Sequence, residues 1–176
     1  MPTYSIQVES GKEGYVAGML AKVFRRDHPE ISCRLSVPTI PWYMHNTAEA
    51  ARKSGSALSL VRKPMLPGYV LVETGQILEF NRAFGDWVFQ SWYRLIGKCV
   101  DDFIPLEDEE LQWIRLLSSE TLSTATIEEG KLVFLSGPLK GKEDKVKKVN
   151  ASRKCVCLEL PFKGRSKQVW MAVDIG

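Results

Sequence analysis

The sequence predicts an α+β fold in which an N-terminal α/β sandwich is followed by a small all-β barrel. Three stretches carry that expectation. Lys63-Pro64-Met65-Leu66-Pro67-Gly68 makes a tight entry into Tyr69-Val70-Leu71-Val72, a β-branched and aromatic run that reads as a strand buried on both faces, in the middle of a sheet. Val16, Met19, Leu20, Val23 and Phe24 recur at helical intervals and give an apolar stripe. Beyond Gly130 the pattern changes to several short strands separated by turn residues, and a sheet this small closes on itself to protect its edges. With 176 residues and 44% hydrophobic content, the chain can bury one good core, or a medium core and a small one.

Taken in order, residues 4–8 alternate as a short strand. Ser10 and Glu13 stand at capping-box spacing before a helix over about 11–26, which Arg25-Arg26-Asp27-His28-Pro29 ends with cations and a proline. Leu35-Ser36-Val37-Pro38 is a second strand. Residues 39–63 turn polar and punctuated; Ser54-Gly55-Ser56 reads as the tip of a long hairpin or loop, and residues 48–53 suit a helical turn equally well. Ile77, Phe80, Phe84, Trp87, Val88, Trp92 and Leu95 form an aromatic-rich helical pattern interrupted by Gly85, suited to core packing or to a partner surface. Glu107-Asp108-Glu109-Glu110 supplies an acidic first turn to a helix carrying Leu111, Ile114 and Leu117. Residues 118–130, rich in Ser, Thr and Glu, read as a linker. The expected domains are therefore 1–117 and 131–176, with strands at 132–135, 145–149, 155–160 and 168–173 in the second.

The net charge of +3 hides a division. From Lys131 onward eleven Lys or Arg face four carboxylates, a balance of +7, which leaves −4 on the preceding residues. A basic module joined to a mildly acidic one points to a polyanion that meets the C-terminal part; the competing reading is a solvated lysine-rich surface. Cys33, Cys99, Cys155 and Cys157 include no C-x-x-C, and nothing resembling a signal peptide precedes them, so reduced thiols in a cytoplasmic protein are expected. His28 and His45 stand far from Cys155 and Cys157, so no metal is expected, nor any other cofactor. No apolar run approaches the length of a membrane span. Gly137-Pro138-Leu139-Lys140-Gly141-Lys142 has the wrong spacing for a P-loop and lacks the hydroxyl after lysine, and no catalytic triad or dyad stands out. The expectation is a non-enzymatic, monomeric binding protein with no catalytic residues.

Residues 65–72, Met-Leu-Pro-Gly-Tyr-Val-Leu-Val, resemble the Phe-Pro-Gly-Tyr-Val signature of the N-terminal (NGN) domain of the NusG family of transcription elongation factors. Tyr4 to Val8 with Ser10-Gly11 is similar to that domain's opening strand and turn. Residues 133–149, from Val-Phe-Leu-Ser-Gly-Pro-Leu-Lys-Gly-Lys to Lys-Val-Lys-Lys-Val, resemble the KOW motif of the family's SH3-like C-terminal barrel. The resemblance covers nearly the whole chain, most weakly over 74–100. It implies an NGN domain that binds the clamp helices of RNA polymerase through an exposed apolar pocket, with Tyr4, Leu66, Pro67, Gly68 and Tyr69 at the matching positions. Such a groove needs rigid hydrophobic anchors, which a Pro-Gly turn can present. Taken alone, Tyr69 reads as core; the resemblance places it at the surface.

Two departures qualify the likeness. Leu66 replaces the usual phenylalanine, and Thr3 precedes Tyr4 without the tryptophan common near the N-terminus. The loop that reads Phe-Gly-Arg in general members, and that meets a ribosomal protein or the Rho terminator, reads Phe162-Lys163-Gly164-Arg165 here, which weakens the expectation of those partners. Lys140, Lys142, Lys145, Lys147, Lys148, Arg153, Lys154, Lys163, Arg165 and Lys167 flank the turns of the C-terminal module, where they can meet phosphates across an RNA helix. Few aromatics, only Phe162 and Trp170, interleave with them, which favours a duplex or hairpin over a single-strand stacking platform. This resembles the LoaP-like branch of specialised paralogues, which implies a processive antitermination factor that reads a nascent RNA hairpin. A general NusG-type elongation factor and a ribosome-associated KOW protein are the alternatives.

Overall fold

The computed structural model describes residues 1–90 and 104–176, with side chains described except over 87–103. In chain order the elements begin with β1 (Thr3–Gln7), α1 (Glu13–Asp27), β2 (Cys33–Ser36), β3 (Thr39–His45), α2 (Ala48–Ser54), β4 (Leu58–Pro64) and β5 (Tyr69–Thr74). There follow α3 (Ile77–Gln90), α4 (Asp108–Leu117), β6 (Thr124–Glu128) and β7 (Lys131–Ser136). The chain closes with β8 (Val146–Asn150), β9 (Cys155–Phe162), β10 (Arg165–Ala172) and β11 (Asp174–Ile175). They fall into two compact units, Met1–Pro38 with Leu66–Asp108, and Thr39–Met65 with Glu109–Gly176.

The first unit is a three-stranded antiparallel sheet in the order β1-β5-β2. The proline-glycine run thus leads into the central strand, and Val70, Leu71 and Val72 are all buried, as a strand covered on both faces requires. Tyr4, Ile6 and Val8 of the β1 segment join Val70 and Val72 in one core. Val16, Leu20 and Phe24 from α1 and Phe80, Ala83 and Phe84 from α3 complete it. Phe24 stacks on Phe80 with centroids 4.5 Å apart, and Phe80 on Phe84 at 6.1 Å. Each such side chain contributes about 1.5–3 kcal/mol by leaving water. The apolar stripe of α1 and the first turns of the aromatic pattern are therefore core. Trp92, Leu95 and Cys99 lie outside the described residues, as do the side chains of Trp87 and Val88.

The second unit contains the hairpin β3–β4, in register from Thr39↔Pro64 to His45↔Leu58. Its tip is α2, capped by the Thr47 hydroxyl accepting from Ala50 N and ended by Gly55 at φ 69°. Hairpin and helical turn, both left open by the sequence, coexist. β3 lies against β10. Arg62 of β4 donates to the carbonyls of Thr39, Ser118 and Ser119, and so fastens the hairpin to the end of α4. The remaining strands form two three-stranded sheets, β10-β9-β8 and β11-β6-β7.

Three features differ from expectation. Residues 118–130 are not an unstructured linker, because β6 lies inside them, pairing with both β7 and β11. Ser123 and Ala125 are buried there, and the stretch is held by backbone pairing that its small polar side chains do not advertise. The C-terminal strands also form two separate sheets instead of one continuous closed ladder; β7 and β8 meet through the 3-10 turn Glu143–Lys145. Nor do the units follow the division at 117, since the hairpin and α4 belong with the C-terminal strands. Among the described residues no helix is long and apolar enough to cross a membrane.

Candidate functional site

The signature turn is organised by one buried carboxylate. Glu13, at the first turn of α1 and 2% exposed, accepts from Gly11 N at 3.0 and 2.9 Å and from Gly68 N at 2.6 Å. Its carboxylate reaches back to Gly11, so the capping box expected with Ser10 is not made in that form. Burial pushes the Glu13 pKa up, but the N–H groups of Gly68, Glu13 itself and Gly11 outweigh that and hold it below the ordinary carboxylate value. Gly68 sits at φ 85°, and a Cβ there would meet Ser10 Oγ at 3.2 Å and Val8 O at 3.3 Å. Only glycine fits such a left-handed position beside backbone without strain.

Around this turn the five candidate polymerase-binding residues separate. Tyr4 and Leu66 are buried, Tyr4 within the core between α1, α3 and the sheet, so neither forms an exposed pocket. Gly68 is buried as well. Pro67 is exposed and Tyr69 half-buried, and these two alone of the set present side chains to solvent. The reason is register: Tyr4 pairs with Val72 and shares the inward face with Ile6, whereas Tyr69 stands at the start of β5 opposite Gln7.

The ten candidate RNA-binding cations of the C-terminal module also separate, by their partners. Lys147 pairs with Glu159 at 2.9 Å, Lys154 with Asp174 at 3.0 Å and Lys145 loosely with Asp144 at 4.0 Å. Hydrogen bonding to those carboxylates raises the pKa of Lys147 and of Lys154. Lys142 lies over the Trp113 ring at 5.8 Å and Lys167 over Phe162 at 5.4 Å; burial lowers the Lys167 pKa. Lys140, Lys148, Arg153 and Arg165 are exposed and make no ion pair among the described residues. With Lys131 and Lys142, which are likewise exposed and without an ion pair among the described residues, they are positive charges open to an outside anion.

They do not sit together. β9 covers seven residue steps from Cys155 to Phe162, about 23 Å at about 3.3 Å per residue. Arg153 and Lys154 lie in the β8–β9 turn at one end, and Lys163, Arg165 and Lys167 at the β9–β10 turn at the other. Residues 140–145 precede Val146, which pairs with Leu158 at the middle of β9.

The second end is held by another buried carboxylate. Glu110 of α4, 4% exposed, accepts from Lys163 N. Lys163 and Gly164 both have positive φ, 53° and 67°, and link the paired residues Phe162 and Arg165 as a two-residue turn of type I′ geometry. The lysine thus occupies a turn position, and Phe162 next to it is buried at 6%. At the lysine-bearing Gly-Pro turn, Ser123 Oγ accepts from Leu139 N at 3.0 Å, while Gly137, at φ 86°, lies where a Cβ would be 2.5 Å from Ser123 Cα.

Aromatic side chains do reach the basic surface, from the hairpin. Trp42 carries Lys63 over its ring at 3.3 Å, and Tyr43 lies within electrostatic reach of Lys154 and Asp174. Residues 39–63 gave no such signal in the sequence, because the hairpin's place beside β10 is a tertiary fact. Cys33, Cys155 and Cys157 are free thiols. Among the described residues no group of three or more His, Cys, Asp or Glu could hold a metal ion.

No family model and no curated protein matches the sequence. Among solved structures, one described as showing domain interaction in Thermotoga maritima NusG is 18% identical, with 98% of this chain and 93% of that chain covered at a TM-score of 0.54. The MjSpt4:Spt5 complex, in its conformation B, is 16% identical over 97% of this chain and 91% of that chain, with a TM-score of 0.40. The first of these likenesses shows that this chain has the mixed α and β fold of that NusG structure over nearly its whole length.

Proposed function

We propose that the chain is a transcription elongation and antitermination factor that engages RNA polymerase through its N-terminal unit and a nascent RNA hairpin through its C-terminal basic residues. The observation that carries this reading is the charge division, +7 from Lys131 onward, together with the exposed cations there that have no ion pair among the described residues. A protein surface that leaves cations unneutralised beside a polar turn suits phosphate. The likeness to NusG in sequence motifs and in fold supports transcription as the setting. For the polymerase the contact is the rim formed by Pro67 and Tyr69, with Glu13 and Gly68 fixing its shape from beneath.

The test is transcription by purified polymerase across an intrinsic terminator, with and without an upstream leader hairpin. Read-through that needs both the chain and the hairpin is the expected result. Pausing and termination unchanged by the chain on every template would refute the reading.

A further inference from the structure

Of the two basic ends, one is poorly placed to receive a polyanion. The β9–β10 turn is clasped by Glu110, with Glu109 beside it on α4, and its cations Lys142 and Lys167 rest on aromatic rings. These two carboxylates offset part of the positive charge at that end. At the β8–β9 turn, Arg153 is exposed without an ion pair, Lys148 likewise two strand positions away, and Lys154 is neutralised by Asp174.

The hairpin β3–β4 meets this same end. Lys154 O accepts from Val173 N at 2.9 Å just past the end of β10, Ala172 pairs with Cys155, and β3 lies against β10. Tyr43 is half-buried with Leu60 directly opposite it in the ladder, and Leu60 is 50% exposed. Burial and the nearby Asp174 carboxylate push the Tyr43 hydroxyl pKa up, and Lys154 offsets part of this. The ring of Tyr43 thus lies near Lys154, the neighbour of the exposed Arg153 in the β8–β9 turn.

We infer that the RNA site is composite: phosphates meet Arg153 and Lys148 at the β8–β9 turn, and an unpaired base beside the RNA stem stacks on Tyr43 of the β3–β4 hairpin. This rests on the RNA-binding reading above and adds the element and residue that distinguish a looped hairpin from a plain duplex. A base stacked on an aromatic side chain is held by its π-face, and truncating the ring weakens binding by roughly tenfold.

The experiment measures binding of the full chain to an RNA hairpin, to the same hairpin with abasic loop positions, and to a closed duplex of equal length. Tyr43→Ala is expected to weaken the looped hairpin roughly tenfold and leave the duplex unchanged. Tyr43→Phe keeps the affinity, and the exposed Arg153→Gln weakens all three RNAs. Lys140→Gln with Arg165→Gln weakens all three RNAs less than Arg153→Gln does. If the parent binds the hairpin and Tyr43→Ala binds it equally well, or the Lys140/Arg165 pair carries the affinity in place of Arg153, the composite site is wrong while RNA binding stands. If the parent binds none of the RNAs, the RNA-binding reading falls and this inference with it.

Discussion

Replacing Glu13 tests whether a single carboxylate holds the signature turn in shape. Glu13→Ala removes the acceptor of the buried Gly68 N–H, 2.6 Å away, and of Gly11 N. Gly11 is exposed and can turn to water, so its loss costs little. The buried Gly68 N–H has no such recourse, and an unsatisfied buried donor costs about 1–3 kcal/mol. With the lost charge-assisted bond included, the expected destabilisation is about 2–3 kcal/mol, a fall in midpoint of about 4–12 °C for a chain of this size. Glu13→Gln keeps one acceptor oxygen and should lose about half as much. Because the folded pKa lies below the ordinary value of 4.5, the carboxylate's contribution is present above that pH and is lost as pH falls through the lower folded value. Thermal denaturation from pH 7 to pH 3, with amide exchange at Gly68 as the local probe, measures both effects. Equal stability of parent, Glu13→Gln and Glu13→Ala at every pH, with Gly68 exchange unchanged, would refute the reasoning.

Gly137→Ala places a Cβ 2.5 Å from Ser123 Cα in a left-handed conformation, so a loss above about 3 kcal/mol is expected in chemical denaturation. Glu110→Ala leaves Lys163 N without its acceptor, and amide exchange at Lys163 should quicken by about tenfold or more, a loss of about 1.4 kcal/mol or more. Lys148→Gln removes an unpaired charge and should lower the slope of log affinity against log salt by about 0.7–0.9 for a bound RNA. Lys147→Gln removes a charge already paired with Glu159 and no proposed phosphate contact, so it should weaken RNA binding less than Lys148→Gln in the same titration.

What the sequence disclosed follows from where apolar side chains carry the structure. β5 was legible because Val70, Leu71 and Val72 are buried on both faces, and α1 because Val16, Leu20 and Phe24 fall at helical spacing on one core. β6 was not, since Ser123-Thr124-Ala125-Thr126 is built in through ladder bonds and through Gly137 lying against Ser123, neither of which needs hydrophobic side chains. The hairpin was half legible: Gly55 marked its tip, but Pro41, His45 and Lys63 interrupt the alternation that would mark its strands. At the candidate site, local chemistry read Tyr4 and Leu66 less well than register did. A resemblance carries over residue types, whereas burial depends on which face of β1 meets α1. The cations were legible as a set, and their division into paired and unpaired groups at two ends of β9 was not, because Glu159, Asp174 and Glu110 are distant in sequence from the residues they neutralise or hold.

The most direct test of the central claim is binding of the full chain to a leader-RNA hairpin and to a scrambled strand of equal length, each titrated with salt. Clear preference for the hairpin is expected, with log affinity falling against log salt at a slope between about −1.4 and −3.6, for two to four phosphates neutralised. Equal binding to both RNAs, or no binding at any salt concentration, would contradict it.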